Sequence, residues 1–182
     1  VLFGPAAWQI TFDATTPVEL LHDVHTELLD LYLKDRHSAR DWLYEDDTAP
    51  HEAYAPLLAR GWSHRVKTDS TQTFNSPEAL GAVRHRYDAT TGSDAPAWRA
   101  WSGYPSEPHW RAQFSFGTPT TLVAAFTASL ISTEPVRRTV KDIPFHTRGH
   151  LYVAAATTTA TQASLSSPVA TPPAGPAPSR TR

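Results

Sequence analysis

Basic side chains recur at alternate positions of four segments that have the composition of β-strands. In an extended segment, residues two apart lie on the same face. If the apolar residues of each segment face a core, the opposite face carries seven notable side chains: Arg65, Lys67, Arg84, Arg86, Arg99, Trp101 and Arg111. Cations bind phosphates, and an exposed aromatic ring stacks on a base. These residues predict a nucleic-acid-binding face that favours single strands. The alternative is a solvated sheet face covered by long side chains.

Other residue combinations are less specific for chemistry. His22 and His25 lie three apart on a predicted helix, but no third metal ligand follows at a defined spacing. The spacing of His146 and His150 fits a helix, yet nearby proline and glycine argue against one. The acidic run 45–47 lacks the glycine of a calcium loop, and no Gly-x-Ser-x-Gly elbow occurs. We therefore predict no metal site, no cofactor and no enzymatic activity.

Composition limits the remaining function classes. The chain has 182 residues, of which 40% are hydrophobic, so it can bury one ordinary core. The absence of cysteine excludes disulfides, thiolate catalysis and cysteine-ligated zinc. No segment approaches the ~18 apolar residues of a membrane span. Residues 1–5 show no charged leader before an apolar run, and the lack of any methionine suggests that the natural start is missing.

Charge is unevenly distributed although the net charge is only -2. Counting Lys, Arg, Asp and Glu gives -7 for residues 1–60, +1 for 61–116 and +4 for 117–182. This polarity is compatible with a charged partner, but ordinary solvated surface gives the same pattern. The near-neutral total argues against tight nonspecific binding of nucleic acid.

Two segments share residue types at a constant spacing of 102 positions. Each contains a tryptophan, a phenylalanine four residues later and a Thr-Pro pair four residues after that. The matched positions are Trp8 and Trp110, Phe12 and Phe114, Thr16-Pro17 and Thr118-Pro119, Leu20 and Leu122, Val24 and Phe126, and Leu28 and Leu130. Seven matches without a gap predict an internal duplication.

Each copy is predicted to run strand, turn, helix. Apolar and polar residues alternate after both tryptophans, which is typical of a half-buried strand. The Thr-Pro pair predicts a helix start, with the threonine as N-cap and the proline at the first helical position. Additional elements are predicted in the second copy: a short helix over 51–60, strands over 62–68, 82–87 and 97–104, and a turn at 106–108. The second copy thus has four strands and a helix, and the first copy has only its end.

The predicted fold class is α+β, an antiparallel sheet with the repeat-related helices packed on one side of one shared sheet or of two abutting sheets. Residues 1–48 are the end of the first repeat and 49–156 the complete second repeat. Residues 157–182 are a disordered tail rich in Pro, Ala and Thr. The predicted core contains Trp8, Phe12, Leu20, Val24, Leu28, Trp62, Tyr87, Trp110, Phe114, Leu122, Phe126 and Leu130.

The order of these features resembles a known domain family. The segment 57–62 (Leu-Leu-Ala-Arg-Gly-Trp), the segment 76–78 (Ser-Pro-Glu), Tyr87, and Trp110 with the following strand and helix are similar to an actinomycete family of unknown function, named for a Ser-Pro-Asp-Tyr motif. Here Glu78 stands where aspartate is typical, and the tyrosine is displaced. The resemblance covers roughly residues 55–135. It implies tandem copies and a bacterial cytoplasmic location, and it supplies no mechanism.

A second hypothesis for function belongs to a different class. The chain would be a protein-interaction or scaffolding module without nucleic-acid binding. Its working surface would be an exposed apolar patch or the acidic face of the first helix, which carries Glu19, Asp23, Glu27 and Asp30. The directions of the arginine side chains separate the two hypotheses, because scattered arginines would remove the first.

Overall fold

The structure, a computed structural model, describes residues 7–45, 47–90, 95–139, 141, 143, 145 and 148. Six strands and three helices follow one another along these described residues. They are β1 (Ile10–Phe12), α1 (Val18–Arg36), α2 (His51–Ala59), β2 (Ser63–Val66), β3 (Thr71–Asn75), β4 (Gly81–Arg86), β5 (Trp98–Tyr104), β6 (Glu107–Phe114) and α3 (Thr120–Leu130).

All six strands belong to one antiparallel sheet in the order β1-β6-β5-β4-β3-β2. This confirms the predicted α+β class, and it places both predicted copies on one shared sheet. Only β1 is out of chain order, because it lies beside the last strand, β6. Strands β2 to β6 form a meander in which each pairs with its neighbours in sequence.

The helices cover one face of this sheet, which we call the inner face. Apolar side chains of alternate strand residues pack there against α1, α2 and α3. The buried cluster contains Leu20, Val24, Ala53, Leu57, Phe74, Val83, Ala97, Trp98, Ala100, Trp110, Ala112, Phe114, Val123 and Phe126. Burying apolar area of this extent is the main stabilising term of a domain of this size.

Periodicity explains the position of α1, and one buried hydrogen bond joins α2 to α3. Leu20, Val24 and Leu31 recur at helical spacing and are buried. The fully buried Thr127 Oγ1 donates to Ala53 O of α2 at 2.6 Å. Since a buried acceptor without a donor is costly, this bond fixes how α2 lies on α3.

The predicted threonine caps of α1 and α3 are wrong. The N-cap residues are Pro17 and Pro119, and neither helix start has a side-chain capping hydrogen bond. Thr16 Oγ1 instead donates a hydrogen bond to Arg111 O of β6 at 3.4 Å. The extended ψ of each proline (132° and 129°) already directs the chain into the helix.

Strand β3 was missed, and the predicted turn at 106–108 is misplaced. β3 contains only one large apolar residue, Phe74, so its sequence lacks the usual strand signal. The β5–β6 hairpin turns at residues 105–106, and Glu107 already pairs with Tyr104. A loop of two residues is typical of a tight hairpin, which leaves residues 107 and 108 inside β6.

Most of the predicted core is buried or half-buried. Leu20, Val24, Trp110, Phe114, Leu122 and Phe126 are buried, and Trp8, Phe12, Leu28, Trp62 and Leu130 are half-buried. The prediction that Tyr87 belongs to the core is wrong, because β4 ends at Arg86 and the tyrosine side chain is 54% exposed. The predicted alternation stops applying once the chain leaves the sheet.

The chain divides into two compact units, residues 1–134 and 135–182. In the second unit, Arg148 Nε donates to Ile143 O at 3.0 Å, and its guanidinium carbon lies 5.8 Å from the centre of the Phe145 ring. The predicted tail, 157–182, lies outside the described residues. Within the part of the chain that is described, no helix combines the length and hydropathy of a membrane span.

Candidate nucleic-acid interface

The register of the sheet places the predicted basic residues on the face opposite the helices, which we call the outer face. Arg84 pairs with Arg99, and Trp101 pairs with Arg111. Each of these residues alternates with a buried inner-face residue, as the period of two requires. Arg65 continues the same row through Thr73, which lies between it and Arg84.

Three of the arginines form a group that we call the arginine cluster: Arg84, Arg99 and Arg111. They lie on three consecutive strands, β4, β5 and β6, around Trp101. The guanidinium carbon of Arg84 lies 5.4 Å from the centre of the Trp101 ring, within the range of a cation–π contact. The sheet therefore concentrates three positive charges in one place.

Trp101 is not available to stack on a base. The sequence predicted an exposed ring on the outer face, but the side chain is only 7% exposed. Ala82, its partner on β4, is 3% exposed. The aliphatic stems of arginine can cover apolar surface while the charged ends reach water, and Arg84 lies over this ring. The ring thus supports the arginines and does not form a platform of its own.

The charge of the arginine cluster has no carboxylate paired with it in the part of the chain that the structure describes. Among the described residues, no ion pair joins Arg84, Arg99 or Arg111 to a carboxylate. Burial, followed by the charges of Arg111 and Arg84, lowers the pKa of Arg99 below its usual value. The buried Arg99 Nε also lacks a hydrogen-bond partner in the described part of the chain. An anion with several acceptor oxygens would compensate the charge of the three guanidinium groups.

The remaining predicted cations lie around this cluster and are less concentrated. Arg86 is held by Asp88, with Nε 3.2 Å from Oδ1. Arg65 is exposed on the edge strand β2, and Lys67 is exposed just beyond it, where its N–H donates to Thr71 O at 2.8 Å. Arg86 is partly neutralised, and the other two extend the basic surface toward one edge.

Polar and acidic neighbours complete the outer face. Thr73, which the sequence reasoning missed together with β3, accepts a hydrogen bond from Arg84 Nε at 3.3 Å. Gln113 pairs with Arg99 and is half-buried. Two carboxylates lie at the margins. Asp13 follows β1, and its N–H donates to Arg111 O at 2.9 Å. Glu107 begins β6 and is exposed.

Replacing Arg99 with methionine is expected to stabilise the protein. The change Arg99→Met keeps an unbranched stem over the sheet and removes a charge that faces Arg84 directly. Like charges directly opposite one another on a sheet destabilise it, so we expect the free energy of unfolding to rise by about 0.5–1 kcal/mol. Urea denaturation measures it. The control Arg65→Met, on the exposed edge, should change little, and a lower stability of Arg99→Met would contradict the repulsion.

The other candidate residues do not form a metal or catalytic site within the described residues. No group of three or more potential ligands is close enough to hold a metal ion. His22 Nδ1 lies 3.2 Å from Asp23 Oδ1, and His25 Nδ1 contacts Leu21 O at 2.7 Å. The pair His146 and His150 lies outside the described residues.

Arg40 forms ion pairs with the acidic run near residue 45. Its guanidinium pairs with Asp47 and lies 4.0 Å from Glu45 Oε2. A cavity of about 230 Å³ beside this run is lined by acidic, basic and aromatic side chains, including Glu27, Lys34 and Trp42. Its mixed lining does not select one class of ligand.

The acidic residues of α1 lie on the face toward α3 and solvent. A hydrogen bond with Ser129, and then one with His22, lowers the pKa of Asp23. Asp30 is exposed, whereas Glu19 and Glu27 are half-buried. Part of this predicted interaction face therefore belongs to the α1–α3 contact.

Comparison with known proteins identifies the family. The sequence model of SPDY, a domain of unknown function (DUF317), matches residues 2–33 and 75–136, more than half of the chain. The chain belongs to the SPDY family. No curated protein and no solved structure matches it.

The SPDY segments map onto particular elements. The first covers β1 and most of α1, and the second runs from the end of β3 through β4, β5, β6 and α3. The arginine cluster and Trp101 lie inside the second segment, whereas Arg65 and Lys67 lie outside both. The segment 57–62, on which the resemblance partly rested, also lies outside the match. Since SPDY has no known function, the family adds no mechanism.

Proposed function

We propose that this SPDY protein is a non-catalytic module that binds nucleic acid through the outer face of its sheet. The observation that carries the proposal is the arginine cluster, three adjacent cations without an acidic partner in the described part of the chain. Arg65 and Lys67 would extend the contact along the sheet. A cytoplasmic location in an actinomycete is part of the same proposal.

Phosphate groups are the anions that this geometry suits best. Arg84 and Arg99 lie on neighbouring strands, which are about 4.8 Å apart in a sheet. Two planar guanidinium groups at that spacing can bind the oxygens of one phosphate or of two successive ones. Binding would also relieve the repulsion around Arg99, because the negative charge of the anion offsets the charges of Arg84 and Arg111.

Single-stranded nucleic acid remains the favoured ligand, and the reason is now the flexibility of its backbone. Stacking on Trp101 no longer supports this preference, since the ring is buried. A single strand has a flexible backbone and can bring phosphates to arginines on a twisted sheet. A duplex has fixed phosphate spacing and would contact fewer of them.

Binding without catalysis fits the chemistry of the outer face. Arginine stays protonated at neutral pH and cannot act as a general base. His109 lies on the same face, two residues before Arg111 on β6, with its ring beside Gly103. His85 points to the inner face, where it stacks on Trp98 with ring centres 3.8 Å apart. The proposal therefore needs no nucleophile and no cofactor.

A fluorescence-anisotropy titration of labelled single-stranded and double-stranded oligonucleotides tests the proposal. We expect saturable binding that is tighter for single strands. Three phosphate contacts on a single strand predict that affinity falls by roughly 20-fold between about 50 and 200 mM salt. Flat titrations of the folded protein with both oligonucleotides would refute the proposal.

Charge-matched variants localise the binding. The triple variant Arg84→Gln/Arg99→Gln/Arg111→Gln should lose the saturable signal at 200 mM salt. The control Lys34→Gln/Arg36→Gln/Arg60→Gln removes the same net charge from exposed positions on the helical side and should keep most of the affinity. Equal losses in both variants would mean that net charge, and not the cluster, governs binding.

A protein-interaction module is the second candidate function. The observation that favours it is the exposure of large apolar residues on α1, namely Val18 (72%), Leu29 (55%) and Tyr32 (48%). Exposed apolar residues that form a continuous surface mark interaction sites. This candidate does not require the outer face, so the oligonucleotide titrations distinguish the two.

A further inference from the structure

β1 and β6 pair in a register that is symmetric under the 102-residue offset. The pairs are Ile10 with Phe114, Thr11 with Gln113, and Phe12 with Ala112. Adding 102 to positions 10, 11 and 12 gives 112, 113 and 114. Each strand therefore lies beside its own counterpart, and the point about which the register is symmetric lies between Thr11 and Gln113.

The surrounding hydrogen bonds and helix starts follow the same rule. Two bonds of 2.9 Å are equivalent: Asp13 N–H to Arg111 O, and Ser115 N–H to Gln9 O. The residues before the helices, Pro17 and Pro119, have φ/ψ angles of -54°/132° and -52°/129°. The helices begin at equivalent positions, one residue later. The geometry points to a pseudo-two-fold axis between β1 and β6 that relates β1–α1 to β6–α3.

The two sides of this axis differ in what covers the strands. β6 has β5 on its far side, whereas β1 is at the edge of the described sheet. In an antiparallel ladder, alternate residues direct their backbone groups to opposite sides. Since Asp13 N–H bonds to β6, the N–H and C=O groups of Ile10 and Phe12 point away from it. An edge of this kind is a template for another strand.

The helices show the same difference. On α3, Val123 and Thr127 are fully buried on the side where α2 packs. The counterparts on α1, 102 positions earlier, are Leu21, which is half-buried, and His25, which is exposed. Leu29, the counterpart of the core-packed Ile131, is 55% exposed. The side of α1 that corresponds to the α2-covered side of α3 therefore has no helix on it among the described residues.

Apolar residues dominate this uncovered side, which we call the α1 stripe. At 100° per residue, they fall within about a third of the helix circumference. The stripe consists of Val18, Leu21, Leu28, Leu29 and Tyr32. Of the five acidic residues of α1, Glu19, Asp23, Glu27 and Asp30 project from the other side of the helix by the same rotation. The stripe suits an apolar helix, not a cationic one.

We propose that the free edge of β1 and the α1 stripe form one docking surface for a second SPDY strand-and-helix unit, of the kind that residues 49–109 form. Its strand pairs with Ile10 and Phe12 as β5 pairs with β6, and its helix covers the α1 stripe as α2 covers α3. A second copy of the whole chain fits less well. Its own β5 already has both edges paired, and residues 1–60, with a charge of -7, would face themselves.

The test replaces residues 1–7 of the chain with a copy of its own residues 49–109, joined directly to Trp8. Position 110 corresponds to position 8, so the junction keeps the spacing of the complete unit. Hydrogen exchange should show the amide N–H groups of Ile10 and Phe12 protected by about 100-fold or more relative to the unextended chain. Thermal unfolding should remain one transition at a higher Tm.

Substitutions in the α1 stripe provide the matched control. In the unextended chain, Leu29→Glu and Val18→Glu change exposed positions and should move the Tm by less than about 3 °C. In the extended chain, the same changes should abolish the gain in Tm. An extension whose junction lacks one residue should also fail, because a one-residue slip turns every strand side chain to the wrong face.

Three results would overturn the proposal. The first is unchanged exchange at Ile10 and Phe12 in the extended chain, and the second is a separate unfolding transition of the added segment. The third is self-association of the unextended chain, seen by sedimentation velocity and lost in Ile10→Pro, which would assign the edge to a second copy. A peptide with the sequence of residues 96–105, added in excess to the unextended chain, gives an independent readout through the same two amides.

Discussion

Phe126→Ala is expected to lower the free energy of unfolding by about 3–5 kcal/mol, the usual cost of emptying a phenylalanine site in a core. The Phe126 ring is fully buried and joins α3 to two strands. It packs edge-on against Phe114 at 5.4 Å and Trp110 at 6.1 Å, and it stacks on Phe12 at 6.2 Å between ring centres. Removing it leaves a cavity between α3, β1 and β6.

Urea denaturation followed by tryptophan fluorescence measures this loss. The control Phe116→Ala removes a phenylalanine that is 43% exposed two residues after β6, and it should cost less than about 1 kcal/mol. Similar costs for both variants would show that α3 does not close the core as described. Because β1 meets α3 through this ring, Phe126→Ala should also increase hydrogen exchange at Thr11, whose backbone bonds to β6.

Acidification from about pH 6.5 to about pH 4 is expected to remove up to about 3 kcal/mol of stability through His85. Burial lowers the pKa of His85 from 6.5 to about 4. Its ring stacks on Trp98, and Nδ1 lies 3.0 Å from Gln72 Nε2. The folded state therefore keeps His85 neutral while the unfolded chain takes up a proton between these two pH values. The contribution of His85 to the free energy of unfolding is fully present above pH 6.5. It falls by about 1.4 kcal/mol per pH unit as the pH drops toward 4.

Comparing unfolding at pH 7 and pH 4.5 in wild type and His85→Phe isolates this contribution from that of the carboxylates. Phenylalanine keeps a ring against Trp98 and does not titrate, so the variant should lose less stability on acidification. A second variant, His51→Gln, changes an exposed histidine and should behave like wild type. An unchanged acid sensitivity in His85→Phe would exclude His85 as the titrating group.

The sequence predicted the elements well where apolar periodicity was strong. The helices over 51–60 and after the two Thr-Pro pairs, and the strands near 62–68, 82–87 and 97–104, all appear in the structure. β3 was missed because Thr71–Asn75 has only one large apolar residue and owes its strand conformation to pairing with β2 and β4 on both sides. Local pattern cannot report such long-range pairing.

The candidate site was predicted in part. Alternation assigned Arg84, Arg99 and Arg111 to the outer face, as the register shows. It also assigned Trp101 there, but it gave no information on burial, and the ring lies beneath the arginines. The ion pair of Arg86 with Asp88 does not follow from residue types, because it depends on side-chain directions. The same holds for Arg99 Nε, which has no hydrogen-bond partner among the described residues.

The sequence by itself determined the α+β class, the side of the sheet on which most residues lie and the membership in SPDY, because each follows from local periodicity or residue order. The internal duplication and the disordered tail stay predictions. Only the tertiary structure decided that β1 joins β6 in one sheet and that three arginines meet around a buried tryptophan. Strand order and register depend on contacts between residues about 100 positions apart, and a local pattern does not contain them.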